Sequence, residues 1–150
     1  MLMLEADPEL VAEAEALDGL LLTYLAREQR RLGGQLAQCS LTPAQYLALR
    51  HVADRSAGCP MGELSAALQQ ASATATGIVD RLVRRGLVRR QRDPMDRRLV
   101  LVHVTELGTV VLAEALALRR QERVAALAIL PAEERRRLLR LFTTYLLPEG

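Results

Sequence analysis

Residues 72–104 read SATATGIVDRLVRRGLVRRQRDPMDRRLVLVHV, and a change of period inside this stretch decides the fold. Up to Arg85 the apolar residues Ile78, Val79, Leu82 and Val83 recur at three- and four-residue spacing, the pattern of a helix with one buried face. Ser72 is placed to cap that helix, and Gly86 sits just past its end, where a left-handed stop is expected. After Gly86 the period falls to two. Leu87–Arg92 and Leu99–Val104 read as strands, with Asp93-Pro94 starting the turn between them. The stretch is therefore a helix followed by a β-hairpin whose loop is polar and basic.

Upstream, Thr42-Pro43-Ala44-Gln45 is a helix start: a hydroxyl cap, a proline at the first helical position and a glutamine to complete a capping box. That helix is expected to reach Val52. A loop over 54–59, a short helix over 60–68 with Leu64 and Leu68 inward, and a turn over 69–72 follow. Residues 8–32 read as one helix with Val11, Ala14, Leu17, Leu21, Tyr24, Leu25 and Leu32 on a stripe, and Gly33-Gly34 and Cys39-Ser40 are expected to break the chain. Leu20 and Leu22 widen the stripe beyond one core face, so a second subunit is the economical partner for the excess. Downstream, Thr105 caps a helix over 106–128, and Pro131 opens a last helix ending near Leu147. The fold expected is mainly α with a small β-hairpin wing, a winged helix-turn-helix. The whole chain, 1–150, is expected to be a single domain, with 42–104 as its winged helix-turn-helix lobe.

Composition narrows the function. The chain has 150 residues, half of them hydrophobic and a quarter charged, which is a globular and not a disordered composition. All basic residues are Arg. The net charge of +2 is unremarkable, but it hides an asymmetry. Residues 1–22 hold six acidic residues and no basic one, whereas 81–98 hold eight arginines against Asp93 and Asp96. A local basic block is the electrostatic footprint of a polyanion partner, although a solvated charged face has the same composition. The acidic start is the opposite of a secretory signal and no apolar run reaches membrane-spanning length, so a cytoplasmic protein without membrane contact is expected. There is no Trp and one Phe, which disfavours stacking on single strands. No phosphate-binding Gly loop, nucleophile elbow or HExxH occurs, and no enzyme or cofactor is expected.

A helix fits the major groove of duplex DNA and meets base edges with its N-terminal half. Here that half is Ser72-Ala73-Thr74-Ala75-Thr76-Gly77, whose small and hydroxyl side chains allow close approach. Arg81, Arg84 and Arg85 follow, placed for phosphates or for internal pairing; Asp80 or Asp96 would be the partner of Arg81. At the hairpin tip Arg97 and Arg98 are placed for a minor groove. Asp96 repels phosphate, and makes sense there if its carboxylate pins an arginine in an extended rotamer.

Leu41-Thr-Pro-Ala-Gln45, Glu63-Leu64, Thr74-Ala-Thr-Gly-Ile-Val-Asp-Arg-Leu82, Arg85-Gly-Leu-Val88, Asp93-Pro-Met-Asp-Arg-Arg98 and Val104-Thr-Glu-Leu-Gly108 together resemble the MarR family of bacterial transcriptional regulators. The resemblance spans residues 8–147. It implies a homodimer on a pseudo-palindromic operator of double-stranded DNA, acting as a repressor released by a small ligand, with 8–32 and 106–147 as dimerisation helices. It maps Ser72, Thr74, Thr76 and Gly77 onto the recognition helix, Arg98 onto the minor-groove arginine and Asp96 onto its positioning partner. Gly77 stands where many members carry a polar or basic residue, and Pro60 replaces the usual hydroxyl cap of the third helix. The family's taste for small amphipathic or anionic effectors implies a crevice near the dimer helices. Tyr24, Arg27, Tyr46, Arg50 and His51 lie on the helices that would line it, a set suited to a small aromatic or anionic effector.

Two other readings compete. A winged helix can bind protein without any operator. Alternatively Cys39 and Cys59 can act as thiol sensors, Arg55 lying near Cys59 in sequence, although a reactive thiol needs a depressed pKa. His51, His103 and the cysteines lie on different elements without ligand spacing, so no metal site is expected.

Overall fold

The computed structural model describes residues 7–147, so the ends of the expected 1–150 domain lie outside the described residues. In chain order the elements are α1 (Pro8–Gln38), α2 (Pro43–Ala53), β1 (Cys59–Pro60), α3 (Met61–Ala67), α4 (Ser72–Arg84), β2 (Val88–Arg92), β3 (Val100–Val104), α5 (Glu106–Ala128) and α6 (Ala132–Leu146). The fold is mainly helical: six helices and one small antiparallel sheet of order β1-β3-β2. The expected winged helix-turn-helix is present. In the hairpin Val88 pairs with Val104 and Arg92 with Val100.

Local signals explain most boundaries. Thr42 accepts a hydrogen bond from the Gln45 amide while the Gln45 side chain accepts from the Thr42 amide, the reciprocal capping box. Gly86 has φ +71°, the left-handed stop after α4.

Three expectations are corrected. Gly33-Gly34 does not end the first helix, which continues to Gln38 and turns at Ser40 (φ 55°). Two glycines in a helix cost about 1 kcal/mol each, but Leu36, one turn beyond, is fully buried and offsets much of that with about 2 kcal/mol of burial. Ser72 is not the cap of α4: the chain enters the helix at Ala71, no side chain caps it, and Ser72 is its first residue. Finally, the segment read as loop carries a third strand, with Cys59 paired to Val102 and Pro60 to Leu101.

The core lies where α2, α3, α4 and the sheet meet: Tyr46, Leu49, Val52, Leu64, Val79, Leu82, Val88 and Val102 are all buried. α5 adds Leu112 and Ala115, whereas α1 buries only Leu36 and α6 buries nothing. Leu10, Leu17, Leu20, Leu22 and Leu25 on α1 and Leu139, Leu141, Phe142 and Leu146 on α6 stay exposed. The hydrophobic surplus read from the sequence is thus a real unpartnered surface.

The start of α5 packs closely against the residues just before β2. Thr105 caps α5 by accepting from the Gly108 amide (3.0 Å), its hydroxyl donates to the Gly86 carbonyl (2.6 Å), and its amide donates to the Leu87 carbonyl (3.1 Å). A Cβ on Gly108 would lie 2.0 Å from the Leu87 carbonyl oxygen, so only glycine fits. We expect Gly108→Ala to destabilise the fold by about 3 kcal/mol in urea unfolding, the upper range for overpacking. Gly33→Ala, whose Cβ meets nothing within 4 Å, should instead stabilise by about 0.5–1 kcal/mol. Equal effects at the two glycines would contradict this packing.

Candidate nucleic-acid interface

The amphipathic pattern of α4 turns Ala75, Ile78, Val79 and Leu82 into the core. It follows that Ser72, Thr74, Thr76, Arg81 and Arg84 are exposed on the outer face, with Gly77 half-exposed among them. The Thr76 hydroxyl donates to the Ser72 carbonyl (2.8 Å), so its proton is committed to the first turn and its oxygen is left to accept. No Cβ neighbour lies within 4 Å of Gly77, so the helix surface there is open to close approach.

The arginines behind this face divide by partner. Asp80 pairs with Arg90 (2.6 Å), tying α4 to β2, so it is not the partner of Arg81. Asp96 pairs with Arg98, and Arg81 forms no ion pair among the described residues. Arg85 donates to the Ser40 carbonyl and, at 3.2 Å, to the Cys39 carbonyl; it fastens the end of α1 to the end of α4. Arg84 donates to its own helix at the Asp80 carbonyl (3.3 Å) and remains exposed. Arg89 is held by Gln91 (2.6 Å), while Arg97 is exposed and forms no ion pair among the described residues.

The wing tip is built by two carboxylates. Asp93 accepts from the amides of Met95 (2.7 Å) and Asp96 (3.2 Å), closing the turn, and its own amide donates to the Leu99 carbonyl (3.0 Å). Asp96 then accepts from the Arg98 amide (3.0 Å), from Nε (3.1 Å) and from Nη2 (3.2 Å). The Arg98 side chain is 91% exposed, yet its guanidinium is held at both edges of one carboxylate. An exposed ion pair contributes little stability, so the consequence of this one is orientation. The sequence expectation that Asp96 pins an arginine is met, and the arginine is Arg98. Asp93, which sequence reading assigned only to starting the turn, organises it through its side chain.

The residues proposed for an effector do not converge. Tyr24 is exposed, with its hydroxyl donating to Glu28 (2.8 Å) and the Arg123 guanidinium 5.9 Å from its ring centre. Arg27 lines a shallow groove beside Tyr24 and Phe142. Tyr46 is in the core, under Arg119 at 5.6 Å, and Arg50 and His51 face a separate surface cavity with Asp54 and Leu68. A different cavity of about 420 Å³ is bounded by Tyr24, Arg123, Leu127, Leu138 and Phe142. Arg123 carried no sequence signal, because only the approach of α5 to α1 brings it to Tyr24. Burial pushes both thiols up, Cys39 and, more fully enclosed, Cys59; at Cys59 the neighbouring Glu63 adds to the rise and Arg55 only opposes it. This is the reverse of what a thiol sensor needs.

Comparison with known proteins agrees with this architecture. Residues 40–99 match the family model described as MarR family. The transcriptional regulator HosA of Escherichia coli O127:H6 is 35% identical over 101 residues, covering 67% of this chain and 74% of HosA. The chain belongs to the MarR family. The HTH-type regulator YsmB of Bacillus subtilis is 34% identical over 87 residues, and the chain spans 58% of that relative's length. The solved structure of wild-type, apo MarR from E. coli superposes with a TM-score of 0.74 at 28% identity, covering 88% of this chain and 97% of that one. MarR-family proteins are transcriptional regulators.

The wing pair has a pH signature. Hydrogen bonds from the Arg98 side chain, then from its amide, hold the Asp96 carboxyl below its ordinary range. A carboxylate lowered in the folded state keeps its pairing above the unfolded pKa and loses it only as pH falls through the folded value. Carbon-detected NMR should therefore find Asp96 titrating below a model aspartate, with a return upward in Arg98→Ala. An Asp96 midpoint unmoved by that substitution would contradict the pairing.

Proposed function

We propose that this chain is a homodimeric, sequence-specific DNA-binding regulator of transcription, acting in the cytoplasm as a repressor that a small ligand releases. The observation that carries the reading is the wing tip: an exposed arginine oriented by Asp96 on a protruding hairpin, next in sequence to a helix whose outer face offers Ser72, Thr74, Thr76, Gly77, Arg81 and Arg84. In this reading α4 enters the major groove with the hydroxyls near base edges and the Thr methyls near thymine methyls. Arg98 enters the adjoining minor groove, where narrow A·T-rich segments concentrate negative potential. Arg81, Arg84 and Arg97 meet phosphates.

The dimer reading rests on the exposed leucines of α1 and α6, which one chain leaves without a partner. A twofold axis through those helices would set the two copies of α4 one duplex turn apart, about 34 Å. An effector acts only through different affinity for two dimer states. The cavity at Tyr24 and Arg123 offers an aromatic ring, apolar walls and a guanidinium that Glu28 pairs, so a small aromatic acid would bind there by exchanging with that carboxylate.

The experiment is selection of bound duplexes from a random pool, followed by titration of the selected operator at several salt concentrations. We expect a pseudo-palindromic site, a dimer by sedimentation, and a steep loss of affinity with salt from counterion release. Arg98→Ala should weaken operator binding by about tenfold or more, the value of a lost groove contact. No selected duplex at low salt would overturn the reading and favour a module that binds only protein; unchanged operator affinity in Arg98→Ala would overturn the assignment of the wing.

A further inference from the structure

We propose that His51, Cys59 and Glu63 form a binding site for one divalent transition-metal ion of the zinc class. The three side chains come from the last turn of α2, from β1 and from the first turn of α3. One ligand atom from each, the imidazole nitrogen, Sγ and a carboxylate oxygen, lies within 4.8 Å of the other two. Sequence spacing did not foresee this, because residues 51, 59 and 63 meet only when the loop 54–58 doubles back and Cys59 pairs with Val102.

The geometry fits a shared ion better than a hydrogen-bonded cluster. His51 Nε2 is shut off from solvent and has no hydrogen-bond partner, and it faces Glu63 Oε1 at 3.5 Å. That separation is too long for a hydrogen bond. It is close to the ~3.3 Å edge expected between two ligands placed about 2.0–2.1 Å from one tetrahedral ion. Cys59 is fully buried, and its thiol finds only a weak contact to the Pro60 carbonyl at 3.6 Å. Glu63 is half-exposed, leaving an entry from solvent and room for water as a fourth ligand.

The donor chemistry sets the class of ion. Nitrogen, sulfur and oxygen together suit Zn²⁺, Co²⁺ or Ni²⁺ and not Mg²⁺ or Ca²⁺, which take oxygen ligands. On binding, the Cys59 thiol gives its proton to solvent, and thiolate plus carboxylate then balance the two positive charges. Arg55 already donates to Glu63 Oε1 and to the His51 carbonyl (3.3 Å). The oxygen that faces His51 is the one Arg55 holds, so an ion bound there requires the guanidinium to shift to the second carboxylate oxygen, from which it would orient the ligand. An ion here would staple α2 and α3 to the strand that borders the wing; that consequence for operator binding rests on the proposed function, whereas the site itself does not.

The test uses the full-length, reduced and metal-free protein titrated with Co²⁺, with no DNA present. We expect one ion per chain, the ligand-field bands of tetrahedral Co²⁺, and a sulfur-to-cobalt charge-transfer band that Zn²⁺ abolishes and Mg²⁺ does not. Cys59→Ser should lose the charge-transfer band. Because Cys59 is in the core, the more exposed Glu63→Gln and His51→Gln are measured alongside, with circular dichroism as the folding control. Each should weaken Co²⁺ affinity about tenfold or more, while Cys39→Ser should leave both band and affinity unchanged. Absence of a charge-transfer band at stoichiometric Co²⁺ would overturn the site, as would affinity unaltered in folded Glu63→Gln and His51→Gln or a band that depends on Cys39.

Discussion

The close approach of α5 to the backbone just before β2 is the constraint on which the rest of the molecule depends. Gly108 lets the helix start touch the Leu87 carbonyl, and Thr105 bridges the helix to the Gly86 and Leu87 carbonyls. Gly86 is also the left-handed residue that ends α4. One short run of backbone therefore fixes three directions at once: where α4 stops, where β2 leaves and where α5 begins. The helix α4, the hairpin and the long helix near the unpartnered surface are held as one unit by hydrogen bonds to two consecutive carbonyls. In the proposed dimer a change of subunit spacing at α1, α5 and α6 would be passed to α4 and the wing through a rigid joint and not through a flexible linker.

At the wing tip energy and geometry separate. The Asp96–Arg98 pair is too exposed to add much stability, and removing it would leave the fold intact. What it does is reduce the number of orientations an arginine at a hairpin tip would otherwise sample, so that less entropy would be lost if it entered a groove as proposed. In the proposed complex a carboxylate beside DNA would be unfavourable by charge alone, and would be tolerated because it fixes the cation that neutralises it. The same logic separates the arginines of the basic block. Arg85 and Arg90 are committed to the fold, whereas Arg81, Arg84, Arg97 and Arg98 are displayed.

The winged helix-turn-helix was legible in the sequence because its signals are local: the switch of period at Gly86, the capping box at Thr42, Asp93-Pro94 at the turn and Thr105 at the start of α5. The pinning of Arg98 by Asp96 was legible for the same reason, two residues apart on one turn. What was not legible depends on tertiary pairing. β1 is two residues long and contains a proline, and it is a strand only because Val102 and Leu101 lie beside it. Gly33-Gly34 reads as a break, yet the burial of Leu36 carries the helix through. Ser72 has the chemistry of a cap, but the backbone enters the helix one residue earlier. The five effector residues share helices but not a face, and the fold sends Tyr46 into the core and His51 toward Cys59 and Glu63.

The central claim is that two copies of α4 and two arginine-tipped wings read successive grooves of one duplex. Hydroxyl-radical footprinting on a selected operator tests it most directly, since the radical attacks sugars from the minor groove. The account requires a protected minor-groove segment on each outer side of the site, the two related by the operator's twofold axis. Protection on one side only, or none at the outer minor grooves while the operator is fully bound, would contradict it.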